Sequence, residues 1–505
     1  MLEPLGGVSL RLAPDLEALA PVAPREFRAA WVATVANIDW PSRKGLSSAE
    51  QQVEMRAMLD RAVSLKLNAI ILQVRTSADA LYPSALEPWS EYLTGTQGLA
   101  PEPWYDPLAL WIAEAHARGL ELHAWFNPFR ARQSKGAAQA AASHLSQSRP
   151  EWVKQYGDQL WIDPGEPAAA DHSLAVFMDV LQRYDVDGIH IDDYFYPYPV
   201  TQGENPKTEV DFPDQPSWQR YQGAGGTLSR DDWRRSNVDA LIERIYLGIR
   251  QTKPWVRFGI SPFGLGRPEL RPPEIRGFSQ YHKLYANVER WVAEGWFDYL
   301  VPQLYWTIDT KEQAFASLLN YWHQKNTQGR HIFAGMFTSR VALDNATPNP
   351  PSSWASQEIA NQIALVRERA PGSGHVHFSM VALMGKRQGL NEQLQAGPYA
   401  QQALVPATPW LPADGNVTFT VALQPLRQGY CQLLLLPEGA APSLRWVLWL
   451  RYGTRWELHT TGQAQIELRA RAADGNLPNA LVVSALDRVG NESPRQGYRV
   501  LEALF

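Results

Sequence analysis

The segment DGIHIDD, residues 187–193, places three acids and a histidine where apolar and polar residues alternate. In an extended chain alternate side chains share a face, so Ile189 and Ile191 cover one side while His190 and Asp192 point to the other, and Asp193 opens the following loop. A carboxylate held at a strand end can stabilise a developing cation or attack it. Burying it alone is costly, so a compensating charge or donor is expected, and Arg75 and His190 are the candidates. Asp193 reads equally as a functional acid or as a cap of its loop.

The same alternation gathers other polar groups at strand ends: Gln73 in NAIILQV and Arg75 just after it, His123 and Asn127 in LELHAWFN, Ser261 in VRFGIS, and Gln303 with Tyr305 in DYLVPQLYW. Cleavage of a glycosidic bond ordinarily takes a second carboxyl group to protonate the leaving oxygen. The segment FGISPFG carries no acid, so that proton must come from a loop. Asp309, Asp193, Asp79 and Glu204 are the candidates, each taken alone reading more simply as a solvated charge. With 20 Trp, 19 Tyr and 16 Phe the chain is rich in flat rings that suit sugar faces, and Trp40, Trp125, Trp306 and Tyr194 are placed to stack on them. Any single Trp is more often core filler.

No metal is expected. His123, His190 and Asp192 could converge, but neither HExxH nor an Asp-rich calcium loop occurs, and His375 and His377 in HVHFSM read as strand packing. The glycine-rich stretches GLGRPELRPP and GAGG lack dinucleotide or phosphate-loop spacing, so no cofactor is expected either.

The elements that must position these groups recur regularly. Strand candidates fall at 27–36, 68–74, 120–127, 187–192, 256–261, 298–306, 331–337 and 375–380, separated by stretches of helical periodicity such as AEQQVEMRAMLDRAVSLKL and DHSLAVFMDVLQRY. Alternation of eight strands with helices predicts an α/β chain, a (β/α)₈ barrel of the TIM type, whose functional groups gather at the C-terminal strand ends. The barrel spans 25–400, after an irregular arm at 1–24. Beyond the linker PATPWLPADGN the texture changes to short strands with frequent turns, which predicts a small all-β sandwich over 405–505.

With 505 residues, 47 Lys plus Arg and 52 Asp plus Glu, the formal charge is -5, which disfavours nucleic acid and anionic membrane as partners. The lone Cys431 excludes an internal disulfide. The first twenty residues lack a basic and an apolar export region, and no apolar run is long enough for a transmembrane segment, so the chain reads as soluble.

The stretch RPEWVKQYGDQLWIDPGEP followed by YDVDGIHIDDYFYP closely resembles the bacterial glycosyl-hydrolase-like family that includes divisome peptidoglycan glycosidases. REFRAAWVATVANIDWPS, LNAIILQVRTSADALYPS, GLELHAWFNPFR, FGISPFG and FDYLVPQLYW extend the likeness in order over about 25–390. The resemblance implies a barrel in the cell envelope acting on peptidoglycan glycan strands stripped of stem peptides. DGIHID is also similar to the fourth-strand motif of the alpha-amylase superfamily, which implies Asp192 as nucleophile and retention of configuration, with Asp309 or another loop acid close by. His190 stands where that motif has arginine, and the fifth-strand acid is absent. The ending ALDRVGNESP resembles a fibronectin-type-III-like module. The expectation is a glycoside hydrolase centred on Asp192, with Arg75, Asn127, Gln303 and Tyr305 positioning the glycan. An inert glycan-binding barrel, or an enzyme for another amino-sugar polysaccharide, are the alternatives.

Overall fold

The computed structural model describes residues 8–134, 139–203, 208–344, 352–413, 417–427, 430–438, 445–469 and 478–502. Its centre is a closed parallel barrel of strands β1 (Phe27–Val32), β2 (Ala69–Arg75), β3 (Glu121–Phe126), β4 (Gly188–Ile191), β5 (Arg257–Ile260), β6 (Tyr299–Leu300), β7 (His331–Ile332 and Ala334–Met336) and β8 (Gly374–His377). The two pieces of β7 pair with β6 and β8 respectively, and β8 pairs with β1, which closes the ring. These are the strands expected from the sequence.

Alternation sorts the side chains as the period of two requires. Ile189, Ile191, Phe258 and Ile260 face the helical layer, and Phe27, Trp31, Ile71, Tyr299 and Phe333 fill the interior. The first outer helix, Ser48–Ser64, begins in a capping box between Ser47 and Glu50. Pro167–Arg183, Arg230–Thr252, Phe315–Lys325 and Ser356–Arg369 continue the outer layer. No helix among the described residues is long and apolar enough to cross a membrane.

The barrel axis carries a polar chain. Trp31 Nε1 lies 3.2 Å from His190 Nε2, and His190 Nδ1 lies 3.1 Å from the Tyr299 hydroxyl. That hydroxyl is 2.8 Å from His123 Nδ1, and His123 Nε2 is 3.0 Å from Glu121. An indole can only donate and a carboxylate can only accept, so the direction is fixed: Trp31 to His190 to Tyr299 to His123 to Glu121. Both histidines must then be neutral, and burial does push both below their usual range. Close packing of this chain explains two glycines, since a Cβ at Gly188 would fall on the His123 ring and one at Gly259 on the Tyr299 ring.

At the barrel base, burial alone would raise the Glu121 carboxyl, but Arg257 and Arg445 outweigh it and hold it down to about 2. Arg445 belongs to the C-terminal sandwich and reaches Glu121 at 2.9 Å and Asp187 at 3.3 Å. In that sandwich the strands Phe419–Arg427, Tyr430–Pro437 and Gln465–Arg469 face a sheet built on Arg445–Tyr452, Arg455–Thr461, Pro478–Leu486 and Gln496–Glu502. Trp446, Leu448 and Leu450 meet Phe419, Leu433 and Leu435 between the sheets, while Val447 and Trp449 pack on the other face with Leu16, Ala20 and Leu404.

The arm expected to be irregular carries regular elements within its described part, residues 8–24. Val8–Leu12 is a strand antiparallel to the last one, pairing Val8 with Glu502 and Leu12 with Tyr498, and Asp15–Leu19 is a helix. Five residues of alternation carry little local signal, and the strand exists only because its partner at the far end of the chain offers an open sheet edge.

Two outcomes follow from this axis. Arg445→Ala should destabilise the barrel as well as the sandwich, by about 3–5 kcal/mol in chemical denaturation, because Glu121 and Asp187 lose a shared buried counter-charge; a loss below about 1 kcal/mol would show that the sandwich merely rests on the base. Tyr299→Phe should cost about 1–3 kcal/mol by stranding His190 Nδ1 and His123 Nδ1, read by the same denaturation.

Candidate active site

The C-terminal strand ends surround a cavity of about 290 Å³, and Asp192 and Asp193 lie in its wall beside Trp31, Gln73, Trp125 and Arg130, with Tyr194, Tyr198, Ser261, Gln303 and Tyr305 around them. Asp192 continues β4 inward, as the alternation requires. Its Oδ2 accepts from Trp125 Nε1 at 3.0 Å, and Asn127 Nδ2 donates to both oxygens at 3.3 and 3.4 Å. Burial pushes its carboxyl up to about 7, with the neighbouring Asp193 adding to the rise and Arg130 and Trp125 opposing it. Asp193 accepts from the Tyr198 hydroxyl and from Gln303, and burial raises it as well. Two adjacent carboxyls that are both raised titrate as a coupled pair, losing their protons in separate steps.

Arg130 supplies the positive charge of the site. Just past β3 the chain forms a short strand, Arg130–Arg132, that pairs with Gln159–Ile162, setting Arg130 opposite Trp161. Its backbone N–H donates to Asn127 Oδ1 at 2.8 Å, and its guanidinium lies 4.2 Å from the Tyr194 ring centre. Asn127 therefore ties Asp192 and Arg130 into one unit.

The structure brings together Asp192, Asp193, Trp125, Tyr194, Gln303 and Tyr305 from the sequence expectation, and sets others elsewhere. Arg75 is no partner of Asp192: it is fully buried, forms a 2.5 Å ion pair with Glu87, and donates to the carbonyls of Asn127 and Pro128. A register shift between Gln73 and Arg75 sets Arg75 opposite Phe126, whose side chain faces the helices, and Arg75 follows it outward. His190 points inward as expected but lies under the Trp31 floor, neutral and committed to the axial chain. Asn127 stands behind Asp192, fully buried.

Trp40 is core: its ring meets Trp111 edge-on at 5.4 Å and its Nε1 donates to the Gln51 carbonyl. Trp306 follows the inward Tyr305, so it turns outward, against Phe263 at 5.8 Å. Asp309 is exposed and outside the cavity wall, so it is not the acid beside Asp192 that was expected. Asp79 is buried in its own turn, accepting from Thr76 and Ser77. Glu204 lies outside the described residues. Sequence reasoning missed Arg130, Tyr198 and Trp31. Only Trp31 had a signal, since it shares the phase of Phe27 and Ala29 on β1.

A closed parallel barrel with a carboxyl pair and aromatic walls at its C-terminal mouth has the architecture of a barrel glycosidase. The chain belongs to the glycosyl hydrolase-like 10 family, whose profile matches residues 26–353. It is 41% identical over 394 residues to glycosyl hydrolase YngK of Bacillus subtilis (strain 168), covering 77% of this chain and 74% of that protein. It is 35% identical over 315 residues to glycosyl hydrolase DigH of Escherichia coli (strain K12), covering 59% and 69%. Among solved structures, the PgaB (BpsB) glycoside hydrolase domain from Bordetella bronchiseptica aligns at 13% identity with a TM-score of 0.46, over 72% of this chain and 96% of that one.

The raised Asp192 carboxyl makes a stability prediction with a definite sign. Between its ordinary value of 3.8 and its folded value of about 7 the folded state binds the proton more tightly, so stability falls as pH rises through that window and stays lower above it. Asp192→Asn should therefore match the parent near pH 4 and exceed it at pH 8 by up to about 4 kcal/mol in denaturant titrations. Equal stability of the two proteins at pH 8 would show that Asp192 is fully ionised at no cost.

Proposed function

We propose that this protein is a glycoside hydrolase of the cell envelope that cleaves peptidoglycan glycan strands lacking stem peptides. The observation that carries the reading is the buried pair Asp192–Asp193 facing a cavity walled by Trp31, Trp125, Tyr194 and Tyr305. Its assignment to peptidoglycan and to the envelope is supported by the ordered motif resemblance along the barrel strands.

In this reading the pair works with one proton between its members, which rests on Asp192 in the free protein, where burial raises that carboxyl to about 7, and passes to Asp193 when the glycan binds. Asp192, fixed by the Trp125 and Asn127 donors, faces the anomeric carbon as carboxylate and stabilises the positive charge that develops there. Asp193, in contact with Tyr198 and Gln303, delivers the proton to the departing oxygen, and a water molecule then adds to the anomeric carbon and gives up a proton to Asp193, which restores the acid. Arg130 moderates the cost of the Asp192 charge. Tyr305 and Trp125 supply flat faces for the ring. The scheme has no metal step, and among the described residues no three His, Cys, Asp or Glu side chains are grouped to hold one.

The test is product analysis by mass spectrometry after incubation with peptide-free glycan strands and with intact peptidoglycan. New reducing ends from the peptide-free strands are expected, unaffected by EDTA, with kcat/KM following a bell whose limbs belong to the pair and include one near pH 7. Asp192→Asn and Asp193→Asn should each lower kcat by about 10³-fold or more while glycan binding persists. Tight binding of strands by the parent protein with no new reducing ends would make it a glycan-binding barrel instead.

A further inference from the structure

Arg130 is built into the cavity in a way that the hydrolytic scheme does not use up. It is only 2% exposed yet forms part of the cavity wall. Other buried arginines, Arg28, Arg75, Arg234 and Arg257, each hold a carboxylate: Glu26, Glu87, Asp214 and Glu121 respectively. Arg130 differs. Among the described residues it alone of the arginines leaves two guanidinium nitrogens, Nε and Nη1, buried without an acceptor. Burying such donors unpaired is costly, and in a cavity wall the acceptor can be supplied by water or by a bound group. Packing over Tyr194 and the backbone pairing with Trp161 keep the guanidinium from swinging out to water.

The chemistry of the acceptor follows from the donor. A guanidinium matches a carboxylate in charge and in its forked geometry, and neutral hydroxyls or amides satisfy it less well. We propose that Arg130 is the recognition site for a carboxylate carried by the sugar bound next to Asp192. Resting on the peptidoglycan reading above, that group is the lactyl carboxylate of a muramic acid residue, which is free only after the stem peptide, amide-linked to it, has been removed. Arg130 then selects peptide-free strands by charge: an intact strand brings a neutral amide and a bulky peptide to the same place, leaving the guanidinium unpaired.

The experiment compares peptide-free strands as the free acid with the same strands after methyl esterification, for the parent protein, Arg130→Gln and Arg130→Lys, in kcat/KM and in equilibrium binding. The parent is expected to prefer the free acid by about 10- to 100-fold. Arg130→Gln should bring both substrates to the ester level, and Arg130→Lys should restore part of the preference. Loss of Arg130 should also raise the pH at which Asp192 ionises, but equally for both substrates, so that effect leaves their ratio untouched. Equal use of acid and ester by the parent overturns the Arg130 assignment while leaving the hydrolase standing, and that comparison needs no variant to fold. A preference retained in Arg130→Gln also overturns it. If the parent neither binds nor cleaves either form, the peptidoglycan reading and the Arg130 assignment fall together.

Discussion

The hydrogen-bond chain along the barrel axis is the constraint to which the other parts answer. Its direction is set by its ends, a donor-only indole at Trp31 and an ionised Glu121 at the base. Protonating His190 would set a donor against the donor-only Trp31, and protonating His123 would leave the Tyr299 hydroxyl proton without its acceptor, so each member has one fully satisfied state. Glu121 can serve as terminal acceptor only because Arg257 and Arg445 keep it ionised despite its burial. The sandwich is thus electrically part of the barrel base, and the floor of the cavity inherits its rigidity from charges at the opposite end.

Above that floor the balance is reversed. At the base the buried carboxylates Glu121 and Asp187 are held by Arg257 and Arg445, whereas at the mouth Asp192 and Asp193 are both raised and Arg130 keeps two unmet donors. Each of these costs folding stability, and each is what a reaction uses, a proton held near neutrality and a charge awaiting an opposite one. The links directly beneath, Trp31 and neutral His190, place no charge next to the pair. Stability and chemistry are therefore separated along one axis, with neutral His190 between them.

Much of this was legible in the sequence because the barrel repeats a simple rule. Periods of two and of 3.6 located the eight strands and their helices, and the phase of GIHID alone set Asp192 inward. The failures share a physical cause, the local interruption of the period. The bulge at Arg75 turned a side chain that strict alternation aims into the cavity. The excursion 130–162 after β3, which builds Arg130 into the wall, follows no strand phase at all. The strand Val8–Leu12 depends on a partner nearly the whole chain away. Trp40 shows the opposite limit, since ring type alone does not separate a stacking platform from core filler.

The same reasoning accounts for histidine at position 190. That residue must accept from Trp31 through one atom and donate to Tyr299 through another, and a neutral imidazole does both. Arginine has five donors and no acceptor, so in this place it would face the Trp31 N–H with like polarity and bring an unpaired charge into the barrel. With histidine there, no fixed positive charge lies directly beneath Asp192, and the positive group acting on its carboxyl is Arg130 at its side. Burial then prevails, and Asp192 keeps its proton to about pH 7. The requirement that the interior chain be neutral and directional is thus also what tunes the carboxyl above it.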